Sequence, residues 1–430
     1  MTERKNIICP FCGCLCDDVY VEVKDNVIKQ VFNGCKLCKA KLSVGERLKK
    51  PLIRKDGKLV PTSYEKAVEH AARILMDSKM PLLYGWSSTS CEAISRGVRL
   101  AEEVRGVIDN TSSVCHGPSI LGLQEVGLPT CTLGEVKNRA DLIIYWGCNP
   151  IQAHPRHMSR YTLIPRGYFR DDGMLERKLV VVDVRNTDTA GLADQFLKIK
   201  PGYDYELLSA LRAALRGHEV PDVGGIKSDA IKELSEKMRS AKFSALFFGV
   251  GLTMSGARYR NIENAIALTR DLNEYTRSII MPMRGHYNVD GFNQILTWQT
   301  GYPFGVDFSR GYPRYNPGEF CANDLLVSNS ADSALIIASD PAAHFPKESL
   351  EVLKRIPLIT IDPFKSLTSL ISDVVIPSAI TGIESEGTAY RMDSVPITLR
   401  KVVDSGYKSD KEIINDILNK VMTLKHGSKV

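Results

Sequence analysis

The sequence predicts an α/β protein, with a small cysteine-bearing N-terminal domain followed by two doubly wound α/β domains. Three observations carry that expectation. The chain has 430 residues, and single hydrophobic cores stop growing at roughly 250 to 300 residues, so several domains are needed. Short β-rich apolar runs recur, at Pro81 to Gly85, Asp141 to Gly147, Leu179 to Asp183, Ala245 to Gly249, Ala334 to Ala338 and Leu358 to Asp362. Most are separated by helical stretches such as Asp204 to Leu215 and Asn261 to Leu272, and runs apolar on both faces are parallel strands covered by helices.

Taken in order, the first 60 residues are turn-rich. Val19 to Val23 alternates apolar and polar side chains and is followed by Val27-Ile28, which reads as a small hairpin around Lys24-Asp25-Asn26. Thr62 or Ser63 is a candidate N-cap for a helix through Ala67, Ala71 and Ile74-Leu75, and the strands and helices alternate from there. The expected division is a cysteine domain over residues 1–60, an α/β domain from 61–135 joined to 325–430, and a second α/β domain over 136–324. The Gly-, Tyr- and Pro-rich stretch from Gly301 to Gly318 reads as a long ordered loop. Doubly wound sheets bind ligands at the carboxyl ends of their strands. Those ends carry Gly, Asp and Asn here, so cofactor contacts are expected there.

Composition narrows the classes. Hydrophobic residues make up 43% and charged residues 25%, which excludes a disordered chain, and no apolar run approaches the ~20 residues of a membrane helix. Lys and Arg number 56 against 50 Asp and Glu, scattered along the chain, which favours small anionic ligands over nucleic acid. The start, Met-Thr-Glu-Arg-Lys-Asn, has no secretory signal pattern, so a cytoplasmic location is expected.

Six of the 11 cysteines lie between Cys9 and Cys38, which in a large chain of this kind points to metal and not to disulfides. Cys9, Cys12 and Cys16 form a C-x2-C-x3-C pattern, with Cys35 returning after the hairpin. Four thiolates so arranged suit a 4Fe-4S cluster, with Cys14 and Cys38 left for packing. A structural zinc site on Cys9, Cys12, Cys35 and Cys38 is the open alternative. Further on, Cys115-His116-Gly117-Pro118 puts a thiol beside an imidazole on a loop before a helix. Alone, that cysteine is either a small buried hydrophobe or a ligand or nucleophile.

The order of segments adds a resemblance. The cysteine motif with Asp17-Asp18, then Cys115-His116-Gly117-Pro118, Gly147-Cys148-Asn149-Pro150, Val182-Asp183-Val184-Arg185, Pro201-Gly202-Tyr203-Asp204, Ser339-Asp340-Pro341, Ser372-Asp373-Val374 and Glu386-Gly387-Thr388 resemble the bis-pyranopterin guanine dinucleotide oxidoreductases over nearly the whole chain. Within them, Pro282-Met283-Arg284-Gly285-His286-Tyr287-Asn288 and the loops Leu296 to Pro303 and Ser309 to Glu319 resemble the B subunits of the formylmethanofuran dehydrogenases.

The resemblance implies a fold like the first three domains of formate dehydrogenase, and tungsten or molybdenum held by Cys115 and two pyranopterin guanine dinucleotides. An inorganic sulfido ligand and Mg2+ are further components it allows. The reaction implied is the reversible reduction of carbon dioxide to formate, with Arg284 as the cation for the forming carboxylate and His116 as proton donor or hydrogen-bond partner. His286 is a supporting candidate. Gly147, Asn149, Asp183, Arg185, Pro201, Gly202, Asp204, Asp340 and Asp373 match cofactor-binding positions, with Asp183 and Asp204 suited to the donor edge of guanine. Single-chain relatives continue past Gly387-Thr388 into a β-barrel over the pterins, whereas only some forty residues follow here. The implied partners are therefore a small β-barrel subunit, an amidohydrolase subunit that condenses formate with methanofuran, and ferredoxin-like polyferredoxin subunits. A stand-alone formate dehydrogenase-type enzyme and an iron-sulfur relay subunit lacking the metal-pterin remain alternatives.

Overall fold

A computed structural model of the chain describes residues 3–43 and 47–427; residues 1 and 2, where the reading of the N-terminus begins, lie outside it. In chain order the strands are β1 (Glu3–Ile7), β2 (Val19–Lys24), β3 (Val27–Phe32), β4 (Leu52–Lys55), β5 (Lys58–Pro61), β6 (Pro81–Gly85), β7 (Val107–Asn110), β8 (Leu142–Trp146), β9 (Lys178–Asp183), β10 (Gln195–Lys198), β11 (Phe243–Phe248), β12 (Arg277–Pro282), β13 (Val306–Asp307), β14 (Arg314–Tyr315), β15 (Ser333–Ile337), β16 (Leu358–Ile361), β17 (Val374–Ile376), β18 (Gly387–Tyr390) and β19 (Pro396–Leu399). The chain forms two compact units. One comprises Met1–Val114, His286–Arg391 and Pro396–Val430, the other Cys115–Gly285 with Met392–Val395.

The first unit opens with an antiparallel sheet, β1-β2-β3. Its β2–β3 hairpin turns on Asp25 and Asn26, both at positive φ, the backbone that matches the right-handed twist of the strands it joins. The principal sheet has nine strands in the order β14-β13-β7-β6-β15-β16-β17-β4-β5. Its centre, β7-β6-β15-β16-β17, is parallel, and the flanking strands are antiparallel. Strands β6, β15 and β16 are buried at every residue, as the uninterrupted apolar runs require. Helix Tyr64–Asp77 is capped by Ser63, whose side chain accepts from Lys66 N, and buries Ala67, Val68, Ala71, Ala72 and Leu75 on one face. The stretch read as a long loop stays largely irregular, but Val306–Asp307 adds to β7 as an edge.

The second unit is built on a fully parallel five-stranded sheet, β10-β9-β8-β11-β12. Chain order places β8 in the middle, so successive crossovers leave in opposite directions from the β8/β11 pair, and a crevice opens there at the carboxyl edge. Leu142, Ile144, Val180, Val182, Leu246 and Phe248 pack against helices Asp204–Leu215, Ser228–Ser240 and Tyr259–Leu272 in one apolar cluster. At about 1.5–3 kcal/mol for each fully buried aliphatic or aromatic side chain, this cluster fixes the strand ends that carry the site. Among the described residues, no helix is long and apolar enough to cross a membrane.

Candidate active site

In the second unit the carboxyl edge collects most of the candidate residues. Gly147, Cys148 and Asn149 follow β8, Asp183 ends β9 with Arg185 next, Pro201, Gly202 and Asp204 follow β10, and Met283 and Arg284 follow β12. At the crevice the backbones after β8 and β11 touch. Gly251 N donates to Gly147 O at 2.9 Å, and a Cβ on Gly147, whose φ is +58°, would lie 2.6 Å from Leu252 N. Only glycine fits there. Gly249, which ends an expected strand, and Gly251, which the sequence did not single out, close the same turn: a Cβ on Gly249 would stand 2.6 Å from Cys148 Cβ. Their signal was a Gly-x-Gly at a strand end.

Several acids and amides at this edge are already engaged. Asp204 is buried and accepts from Trp146 Nε1 at 2.7 Å and from the Ser255 hydroxyl. Asp183 accepts from Arg185 N at 3.2 Å. Burial raises its carboxyl pKa, and the nearby Asp204 adds to that. Asn149 Oδ1 accepts from the Thr189 hydroxyl at 2.6 Å, tying the turns after β8 and β9 together. Arg185, Pro201 and Gly202 remain exposed.

Cys115 and His116 lie between the 3-10 turn Thr111–Val114 and helix Gly117–Val126. Pro118 in the first turn suits that helix start, since its missing N–H costs nothing there. The carbonyl of Cys115 accepts from the Thr253 hydroxyl at 2.7 Å. His116 is 1% exposed. Its Nε2 lies 3.2 Å from the Met283 carbonyl and its Nδ1 3.0 Å from Ser119 Oγ. A carbonyl can only accept, so the proton sits on Nε2 and Nδ1 accepts from Ser119. Burial first, and then the Arg284 charge, lower its pKa to about 3. His116 is therefore a neutral hydrogen-bonding group with both nitrogens in use. Arg284 is 9% exposed, and its carbonyl accepts from His154 Nε2 at 2.8 Å.

The remaining candidates belong to the first unit. Asp340 accepts from the Thr368 amide and hydroxyl at 2.8 and 2.6 Å, a structural tie to helix Leu367–Ile371. Asp373 precedes β17 and accepts from Leu358 N at 2.9 Å, which puts it at the amino edge of its sheet and not among the strand ends where contacts were expected. Burial depresses the pKa of His286 to about 4, with Lys41 and His344 adding to that.

In the cysteine loop, Cys9 N donates to Cys16 O at 2.9 Å, and Cys9, Cys12, Cys14, Cys16 and Cys38 are buried. Cys38, on helix Lys36–Ser43, shares a thiol hydrogen bond with Cys9. That bond, then burial, raises the Cys9 pKa, with Cys38, Cys12 and Cys16 close enough to add to it. Cys35 is half-buried and accepts from Cys38 N at 3.5 Å. Among the described residues, no three Cys, His, Asp or Glu side chains converge as a single-ion site. A zinc ribbon needs four such ligands around one point. A cubane spreads its thiolates over four irons, so the neighbouring thiols of Cys9, Cys12, Cys16 and Cys38 could hold one, and the single thiolate of Cys115 could hold a metal otherwise bound by dithiolenes.

The molybdopterin oxidoreductase family profile matches residues 47–420. The chain is 54% identical to the B subunit of the tungsten-containing formylmethanofuran dehydrogenase 2 of Methanocaldococcus jannaschii, over 97% of this chain and 98% of that one. It is 51% identical to the protein of the same name in Methanococcus maripaludis, over 99% and 100%. Among solved structures, a chain of the formyltransferase/hydrolase complex of Methylorubrum extorquens with methylofuran superposes with a TM-score of 0.71 at 22% identity, over 87% of this chain and 99% of that one, which is a likeness of fold. With its switch-point glycines and its Cys115-His116 and Arg284 segments in one unit, the chain belongs to the molybdopterin oxidoreductase family, in the branch of the formylmethanofuran dehydrogenase B subunits.

Proposed function

We propose that the chain is the catalytic subunit of a cytoplasmic formylmethanofuran dehydrogenase, and that it interconverts carbon dioxide and formate. The observation that carries this reading is the pairing of a thiol at Cys115 with a buried guanidinium at Arg284 through the His116 ring. When bound through Cys115, a tungsten or molybdenum bis-pyranopterin centre supplies the two-electron chemistry. The chain supplies the rest. Reducing carbon dioxide develops negative charge on two oxygens, and the planar fork of Arg284 matches that carboxylate in a site with little water to screen it. His116, neutral and held at both nitrogens, acts as the hydrogen-bond partner that keeps the Cys115 loop against the Arg284 segment; between the two roles open to it in the sequence, the geometry favours this one.

Arg185 is an exposed cation at the strand ends suited to a pyrophosphate, with the Gly147 turn offering backbone N–H groups. Asp183 and Asp204 are the acids for guanine. In the cysteine loop, Cys9, Cys12 and Cys16 hold a 4Fe-4S cluster. The burial of Cys38 and its bond to Cys9 favour Cys38 over Cys35 as the fourth ligand. A separate barrel subunit over the pterins, an amidohydrolase and ferredoxin-like donors complete the assembly.

The test is Cys115→Ala in the purified complex. Loss of bound tungsten or molybdenum together with formate oxidation by an artificial acceptor is expected; retention of both would sink the reading.

A further inference from the structure

The peptide that carries Arg284 is held at two consecutive carbonyls. His116 donates from Nε2 to Met283 O at 3.2 Å, and His154 donates from Nε2 to Arg284 O at 2.8 Å. Both rings are buried, at 1% and 2% exposure, and a carbonyl can only accept, so each ring presents its Nε2–H to the chain. The two rings come from different places. His116 follows Cys115, whereas His154 ends the short helix Pro150–Ala153 in the turn after β8, close to Asn149. Nothing in the chemistry proposed above uses His154.

Its own ring is braced from behind. The His154 and His157 rings meet edge to face at 6.4 Å, and His157 N donates to His154 O at 2.8 Å. His157 is fixed in turn by Tyr145 Oη, 2.9 Å from its Nδ1, and by the edge of Phe247 at 4.8 Å. Tyr145 Oη also meets Thr162 Oγ1 at 2.7 Å. A brace of this depth is more than one carbonyl needs, since a backbone carbonyl near a strand end can be satisfied by any nearby N–H.

We propose that His154 is a positioning residue for Arg284: through the Arg284 carbonyl it fixes the backbone from which the guanidinium reaches toward the substrate carboxylate. The clamp makes the turn after β8, which faces the cofactor tail, and the Arg284 segment, which faces the substrate, parts of one rigid frame. An arginine loose by an ångström would meet the forming carboxylate with one N–H instead of two. The inference rests on the proposed role of Arg284.

The experiment is a double-mutant cycle in the purified, metal-loaded complex, read as kcat/KM for formate with an artificial acceptor and as formate affinity by calorimetry. His154→Leu is expected to lower kcat/KM by about 10- to 100-fold, the range for outer partners of a reactive group, and to weaken formate binding, at unchanged tungsten or molybdenum content. His154→Gln, whose amide N–H can reach the same carbonyl, should recover most of the loss. In an Arg284→Lys background, where the fork is already gone, His154→Leu should cost no more than about threefold. Equal losses in both backgrounds, or a Gln variant no better than Leu, would overturn the inference and leave the Arg284 reading standing. Wild-type turnover in Arg284→Lys and Arg284→Ala would instead overturn the reading beneath it. If His154→Leu loses metal or melts early, the polar but shorter His154→Asn replaces it, and wild-type behaviour of that variant overturns the proposal.

Discussion

The two sulfur-bearing regions of the chain are built in opposite ways. In the N-terminal loop the thiols face one another: Cys9 bonds to Cys38 and Cys12 to Cys14, all four buried. Around Cys115 the neighbouring side chains are occupied with holding the loop, His116 on Met283 and Ser119, Thr253 on the Cys115 carbonyl. On the proposed reading the first region would supply a whole ligand set, and its cysteine spacing alone points to metal. On the same reading the second would supply one ligand and a rigid frame, and one cysteine in a sequence says little about what completes its shell. What such a site shows instead is the amount of buried polar structure spent on keeping a single loop still.

That contrast can be broken most decisively at the thiols. Cys38→Ser should abolish the cluster signal in electron paramagnetic resonance and all ferredoxin-linked turnover, while Cys35→Ser keeps both; the reverse pattern would restore Cys35 to the ligand set. Next in size is Arg284→Lys, which keeps the charge and loses the fork. A drop of about 100-fold in kcat/KM for formate is expected, and a change within threefold would remove Arg284 from the substrate's surroundings.

Acid should separate the regions as well. His154 and His157 are held neutral by burial, with His154 adding to the depression of His157, and the first 60 residues contain no histidine. Both folded pKa values lie below the unfolded value near 6.5, so below that pH the unfolded chain binds more protons. Stability is then flat above about pH 6.5 and falls with a slope approaching about 1.4 kcal/mol per pH unit for each histidine. Chemical denaturation at pH 7.5 and 5.5 measures it, and His157→Phe should flatten the fall; an unchanged slope in that variant would contradict the assignment. The smallest effect is expected at Cys14, a buried thiol beside the ligands: Cys14→Ala should cost about 1 kcal/mol of stability and leave the cluster in place.

Much of the fold could be read from the chain because its strands are apolar on both faces. The expected run at Pro81 to Gly85 is β6 to the residue, and helix Asp204–Leu215 matches its expected span. Strands β7, β10 and β12 escaped notice, the first two being four residues long and β7 ending in Asp109-Asn110, a pair that reads as a turn. In the site, Cys115, His116 and Arg284 were legible only as parts of a family pattern. The neutral state of His116 was not, since it comes from burial and from the charge of Arg284, far along the chain. His154 left no trace in the sequence for the same reason: its partner is a backbone oxygen 130 residues distant. The cysteine pattern pointed to Cys35, and the proposal of Cys38 in its place rests on burial, since both spacings reach the loop.

The most direct test of the central claim is the metal content of the purified complex, measured by elemental analysis alongside release of guanine nucleotide from the pterin. The account predicts about one tungsten or molybdenum per chain, with iron for the cluster. Iron without either metal, or zinc alone, would contradict it.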